Sequence, residues 1–271
     1  ASASGSQLEG GANGAWRTDI QASPKLNRAM RDWHRAFFAA LAQENIDCVT
    51  AYSTELRHGD RSVSEGIAQR YWDQSAVELN TPALQTNFSA KSLAFWREIH
   101  AESAQLMADG GLVPYLQLGE VQYWYFPNAS GMPFYDEDAT AAFLSQYGRP
   151  MARIADEFQD PADYTDELQF LRDRLGVFSE GIFSYVKALH PNTRFEVLYP
   201  PDVNDSPIGK AVNYPDAAWS TANLDCLKTE SFLFTLSSNL NKSKETIATS
   251  ALKGFPKAKR AHLVGISDYS S

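Results

Sequence analysis

Apolar positions along this chain alternate between repeats with helical spacing and short continuous runs. Apolar residues from Leu168 to Leu189 keep a 3.6-residue period, which predicts one long helix over 166–190 that stops at Pro191. Met30, Trp33, Phe37 and Leu41 repeat similarly and predict a helix that starts at Ser23–Pro24 and ends near Asn45. The same reasoning predicts further helices over 91–109, near 136–147 and over 244–252.

Short apolar runs predict the strands, at residues 48–52, 112–119, 193–199, 230–236 and 262–266. The stretch 57–90 is polar and irregular, so we predict a long loop there. Strands that alternate with helices imply a parallel sheet with crossover helices.

Two architectures fit this alternation, a (β/α)-barrel and a doubly wound sheet. No glycine-rich phosphate loop opens any helix, which favours an α/β fold of the (β/α)8 TIM-barrel type. The predicted strands are fewer than the eight of a closed barrel. We therefore expect an incomplete or atypical barrel. Either further strands lie in the loops, or the barrel is partial, or the chain is part of a longer protein and additional domains or another chain complete the barrel.

The division of the chain follows from composition. Residues 1–22 are rich in Gly, Ser and Ala and predict an extended N-terminal arm, and residues 23–271 predict a single barrel-like domain. No signal peptide is visible in this chain, so the compartment stays open, with secreted and periplasmic locations among the options. Cys48 and Cys226 lie in apolar runs and are expected to be free thiols.

Charge and hydropathy exclude some partners. The 271 residues carry a formal net charge of −9, which argues against nucleic acid as a partner. No apolar run is long enough to predict a membrane span. The five histidines are scattered and none has metal-ligand spacing, so we predict neither a metal nor a cofactor.

Acidic residues collect just after the predicted strands, at Glu55, Glu120, Asp202, Asp205 and Asp268. In a (β/α)-barrel this end of the strands forms the active-site face. Glu120 follows a buried strand and precedes an aromatic cluster. Partial burial would hold its proton near neutral pH, as an acid catalyst of sugar cleavage requires. The alternative is a carboxylate paired with an arginine at the barrel mouth.

The run Tyr115-Leu116-Gln117-Leu118-Gly119-Glu120 and the strand rhythm resemble those of TIM-barrel glycoside hydrolases. The resemblance implies that Glu120 ends the fourth strand as the acid/base. It also implies that Asp268, at the end of the seventh strand, is the nucleophile. Two positions depart from that family, because Gly119 stands where Asn is usual and Asp268 where Glu is usual. Glu230 competes as the second carboxylate, provided that its strand begins earlier than predicted, at Leu227.

Flat aromatic rings suit the C–H faces of sugars. Tyr123, Trp124 and Tyr125 are the predicted sugar platform, although packing in the core is an alternative for each. Further substrate-binding candidates end other strands or lie in the loops after them, at Glu55, Tyr199 and Trp219.

These features together predict a glycoside hydrolase-like enzyme that cleaves a poly- or oligosaccharide by carboxylate acid/base catalysis, with a carbohydrate as substrate. The alternative is a non-catalytic carbohydrate-binding or structural barrel module of a larger protein. The two differ in one feature, since an enzyme needs a second carboxylate facing Glu120.

Overall fold

The structure is a computed structural model and describes residues 5–11, 14–79, 83–124 and 131–263. Its strands, in chain order, are β1 (Leu8–Gly10), β2 (Trp16–Thr18), β3 (Thr50–Tyr52), β4 (Glu55–Arg57), β5 (Glu78–Leu79), β6 (Ala83–Gln85), β7 (Tyr115–Gly119), β8 (Arg194–Tyr199), β9 (Cys226–Glu230) and β10 (Arg260–Leu263). Its α-helices are α1 (Arg28–Gln43), α2 (Ala90–Asp109), α3 (Glu137–Tyr147), α4 (Thr165–Leu189), α5 (Pro207–Val212), α6 (Phe232–Leu236) and α7 (Leu240–Leu252).

The central element is a five-stranded parallel sheet in the order β10-β9-β8-β7-β3. Helices separate its strands along the chain, which is the arrangement that parallel pairing requires. Within the described ranges this sheet stays open rather than closing into a ring. The predicted α/β fold of an atypical TIM-barrel type is therefore confirmed.

The two faces of the central sheet differ. Leu116, Leu118, Val197 and Leu227 point to one face and are fully buried, because helices cover that side. Along that side α1 packs against α2, α2 against α4, and α4 against α5. The alternate residues, including Gln117, Glu196 and Lys228, point to the opposite face, as the two-residue period of a strand dictates.

The predicted loop over 57–90 is wrong in part, because this stretch contributes to a small antiparallel sheet of order β4-β6-β5. Leu56 and Leu84 pair across it and are buried. Its strands have only two or three residues, too few to show a two-residue period in the sequence.

Helix α1 starts later than predicted. Its first residue is Arg28, and the side chain of the N-cap residue Asn27 accepts a hydrogen bond from the Met30 amide. Ser23–Pro24 forms a cis peptide bond before the helix instead of starting it. Trp33 and Phe37, whose spacing helped to predict this helix, lie on its outer surface, and Phe38 is the buried aromatic of this helix.

The predicted strand over 230–236 is also wrong. The strand β9 covers Cys226–Glu230 and ends where the prediction began, and Phe232–Leu236 is the short helix α6. An apolar run this short cannot distinguish a strand from a helix, which explains the error. The correction moves Glu230 from the start of a strand to the carboxyl end of one.

At the N-terminus, β1 and β2 pair as an antiparallel ribbon within the predicted arm. Cys48 and Cys226 are free thiols. Among the described residues, none of the helices combines the length and apolarity needed to cross a bilayer.

Candidate functional site

Glu120 stands at the carboxyl end of β7 in a left-handed backbone conformation, with φ 51°. This conformation turns the chain sharply as it leaves the sheet. Gly119 precedes it where the glycoside hydrolases carry Asn. A Cβ there would lie 3.2 Å from Gln117 Nε2 and 3.5 Å from the Tyr52 carbonyl oxygen, so the position is crowded.

Burial, together with repulsion from the neighbouring carboxylates Glu55 and Asp202, raises the pKa of Glu120 to about 6. A carboxyl with this pKa is partly protonated near neutral pH. This is the property predicted for Glu120 from its place after a buried strand.

Glu230 ends β9, two strands away from β7 in the same sheet, and is 6% exposed. Burial raises its pKa to about 7, and the carboxylates of Glu120 and Asp202 contribute to the shift. The corrected boundary of β9 therefore brings Glu230 into the same electrostatic environment as Glu120.

Asp202 lies three residues beyond β8, the strand between β7 and β9. Its two carboxylate oxygens accept hydrogen bonds from the backbone amides of Val203 at 3.0 Å and Leu233 at 2.8 Å. These bonds favour the ionised form, but burial outweighs them and raises the pKa. Because of the two bonds, the orientation of Asp202 is fixed by the start of α6.

Glu55 is the first residue of β4 and faces Gln85 of β6 across the small sheet. Burial raises the pKa of Glu55, while the Gln85 carboxamide opposes the shift. Gln85 itself is completely buried, and neither polar atom of its side chain has a hydrogen-bond partner of normal geometry among the described residues.

The four acidic side chains Glu55, Glu120, Asp202 and Glu230 are hereafter the carboxylate cluster. Across the residues that the structure describes, no lysine or arginine forms an ion pair with any of them. Asp205, only three residues after Asp202, differs, since Lys210 at 2.6 Å and Lys242 at 2.9 Å pair with it. Those two cations hold the pKa of Asp205 below its usual value despite some burial.

A network of buried amides joins the loops after β7 and β8. Asn204 Nδ2 donates to Gln122 Oε1 at 2.6 Å, and Asn213 Nδ2 donates to Asn204 Oδ1 at 2.7 Å. Asn213 also bonds both backbone polar groups of Tyr123. The loops that carry Glu120 and Asp202 are therefore fixed relative to each other.

A cavity of ≈ 440 Å³ opens beside Asp202 and above this amide network. Trp124, Phe158 and Leu233 give it apolar walls, and Asn204 and Asp205 give it polar ones. Trp124 is half-buried, and its backbone amide donates to Gln69 Oε1 at 3.1 Å. An apolar wall beside amides and carboxylates is a surface that suits a sugar ring.

Other predicted sugar-binding residues are in the core. Tyr123 is 3% exposed and its hydroxyl donates to the Leu171 carbonyl at 3.2 Å. Tyr199 and Trp219 are buried together, and Trp219 Nε1 donates to Ser179 Oγ at 2.9 Å. Because all three side chains are almost completely buried, their rings present no exposed face for stacking. Tyr125 and Asp268 lie outside the described residues.

Sequence reasoning placed Asp202 among the acidic residues that follow strands but gave it no catalytic role, and it did not single out Gln85, Gln122, Asn204 or Asn213. The position of Asp202 directly after a strand was the signal for its place in the cluster. The amides carried no signal, because their role depends on loops that meet only in the folded chain. Within the described ranges, no group of three His, Cys, Asp or Glu side chains is arranged to hold a metal ion.

The fold and this strand-end cluster define an α/β domain of the TIM-barrel class. The family described as "Non-contractile tail sheath protein TIM barrel" matches residues 7–269, and the chain belongs to that family. No curated protein matches the chain.

A solved structure gives the same fold. The glycoside hydrolase domain of PgaB (BpsB) from Bordetella bronchiseptica is similar over 83% of this chain and 62% of that one, with 11% identity and a TM-score of 0.54. An exo-beta-agarase is similar over 84% of this chain and 31% of that one, with 14% identity and a TM-score of 0.48. The chain thus spans less than two thirds of either protein, and the PgaB domain shows a shared fold alone.

Proposed function

We propose that this chain is a structural domain of a non-contractile tail sheath, built on a barrel of the glycoside hydrolase type. The observation that carries this proposal is the family match over residues 7–269. A helical layer that buries one face of the sheet gives such a domain a rigid body, and rigid bodies suit repeated assembly.

Electron microscopy of intact tails with a gold-labelled antibody against this domain tests the proposal. A sheath component predicts gold at regular intervals along the whole tail. Gold confined to the tip, or absent from purified tails, would reject the sheath role.

A second function, carbohydrate cleavage, is favoured by the carboxylate cluster. The raised pKa values of Glu120 and Glu230, about 6 and about 7, provide one protonated and one ionised carboxyl near neutral pH. Glycoside hydrolysis needs such a pair, with one acid to protonate the leaving oxygen and one carboxylate to act as nucleophile or base.

In this proposal Glu230, whose pKa is the higher of the two, is the acid, and Glu120 is the nucleophile or base, which reverses the roles that the sequence resemblance implied. Asp202 raises the pKa of both by repulsion. Trp124 supplies the apolar wall of the adjoining cavity, against which a sugar ring would stack. Neither a metal nor a cofactor enters this scheme.

The catalytic proposal is tested by release of reducing ends from a panel of neutral and amino-sugar polysaccharides. Glu120→Gln keeps the shape of the side chain and removes its charge, so turnover should fall by at least about 100-fold while binding persists. Glu137→Gln, on the exposed first turn of α3, is the matched control. Two outcomes would reject a catalytic role for the cluster. One is that Glu120→Gln keeps its turnover, and the other is that the unaltered chain cleaves no polysaccharide of the panel.

A further inference from the structure

Two aromatic side chains form a ridge on the outer surface of α1. Trp33 is 59% exposed and Phe37 is 38% exposed, and their rings stack with centroids 4.9 Å apart. Ala36 and Ala40, which flank them on the helix, are exposed as well. A continuous exposed apolar surface of this kind is typical of protein interaction sites.

An apolar groove lies elsewhere in the helical layer, between α4 and the loop that contains Pro215. Its volume is ≈ 390 Å³, and small or branched apolar residues line it, namely Gly176, Val177, Pro215, Ala217 and Ala218. Val177 is 65% exposed at the surface of this groove. The groove is concave, and its apolar part has the shape to receive aromatic side chains.

The ridge and the groove carry opposite charges at their borders. Arg28 and Arg35 stand on the exposed surface of α1 and share one acidic partner, Asp32. The acidic residues of the groove are Asp173, Glu180 and Asp216, of which Asp216 also pairs with Lys253. Arg172, the one cation among the described residues that line the groove, bonds to Gln169 and to the Ala211 carbonyl.

The two surfaces lie at opposite ends of the helical layer. The ridge is on α1, which packs on α2, and α2 in turn packs on α4. On α4, Gly181 faces Leu93 of α2, whereas Gly176 faces Pro215 and Ala218 on the other side of the helix. Within one chain the ridge therefore cannot reach the groove.

From this placement we infer that the Trp33–Phe37 ridge of one copy docks into the α4 groove of the next copy. Such a contact is head-to-tail, and a head-to-tail contact generates rings or open helical arrays. The inference rests on the proposed sheath role for its biological setting, although its experiment measures only the contact between copies.

Sedimentation velocity over a concentration series tests the contact. The unaltered chain should associate, and Trp33→Ser or Val177→Arg should weaken association by at least about tenfold. Both changes are at exposed positions, so the fold should survive, which circular dichroism checks. Leu236→Ser, an apolar side chain 82% exposed on α6, is the matched control and should associate normally.

A mixture of the two variants distinguishes this contact from a symmetric one. Trp33→Ser keeps its groove and Val177→Arg keeps its ridge, so the mixture should form a dimer that grows no further. Association that persists in either variant, a mixture that stays monomeric, or an unaltered chain that is monomeric at its solubility limit would overturn the inference. None of these outcomes changes the antibody labelling of tails, so the sheath role fails or survives separately.

Discussion

On one face of the central sheet, buried glutamates in the middle of the strands and at the strand ends differ in whether a cation compensates their charge. In the middle of the sheet, Glu196 of β8 is paired with Lys228 of β9 at 2.5 Å, and Lys228 also donates to Gln117 of β7 at 2.8 Å. Two residues further along β9, Glu230 has no cationic partner within the described part of the chain, and its pKa rises to about 7. The residue type and the sheet face are the same, so the level in the sheet decides the role of the carboxyl.

The physical difference is compensation of charge. A buried charge with a hydrogen-bonded partner is tolerated, whereas one without a partner takes up a proton instead of remaining ionised. The middle of the face therefore contributes structure, and the strand ends keep carboxyls whose charge a ligand or a reaction can change.

The strongest test removes the compensating cation. Lys228→Met leaves Glu196, whose side chain is 3% exposed, without its partner. Breaking a buried pair from one side costs about 3 kcal/mol in the free energy of unfolding, which urea titration measures. The double variant Lys228→Met/Glu196→Gln should recover most of this loss. A single variant as stable as the unaltered chain would show that the pair contributes nothing.

At the strand end, the substitution is expected to raise the free energy of unfolding instead of lowering it. Glu230→Gln removes a carboxyl that is costly to ionise, so at pH 8 the variant should be more stable by about 1 kcal/mol. Thermal unfolding at pH 8 measures this gain, with Glu137→Gln as the control. A clear loss of stability would mean that a partner compensates the charge of Glu230, and the proposed difference between Glu196 and Glu230 would be wrong.

The pH dependence of stability follows from the same shifts. The pKa values of Glu120 and Glu230 are about 6 and about 7 in the folded chain, above the usual 4.5. Between pH 4.5 and these raised pKa values, the folded state therefore binds more protons than the unfolded state. Their contribution to stability therefore increases as the pH falls from about 7 to about 4.5.

Asp136, with a pKa raised by burial to about 6, adds to the same trend, so the informative quantity is a difference. The double variant Glu120→Gln/Glu230→Gln should show a flatter profile of melting temperature between pH 7 and pH 5. Identical profiles would show that the two carboxyls titrate normally.

The smallest effect concerns the wall of the cavity. Trp124→Ala should weaken binding of an oligosaccharide by about 1 kcal/mol if the ring stacks on the sugar, as isothermal titration measures. Trp72→Ala, an exposed tryptophan outside the cavity, is the control. An unchanged dissociation constant would assign Trp124 to packing alone.

Sequence reasoning succeeded where one period extends over many residues. The long helix α4 and the strand before Glu120 follow from apolar spacing, and so does the parallel order of the sheet. It failed where elements are short, as in β4 to β6 and at the boundary between β9 and α6. Side-chain burial is the other property that was hard to predict, because sequence alone did not show that Tyr123 and Trp219 are core residues.

The buried amides of Gln122, Asn204 and Asn213 have a consequence for motion. Because they join the loops after β7 and β8, the amide protons of Tyr123 and Asn213 should exchange with solvent as slowly as those of the sheet. A ligand that binds beside Asp202 would contact a surface that already has its bound conformation. Binding would therefore cost little conformational entropy of the protein.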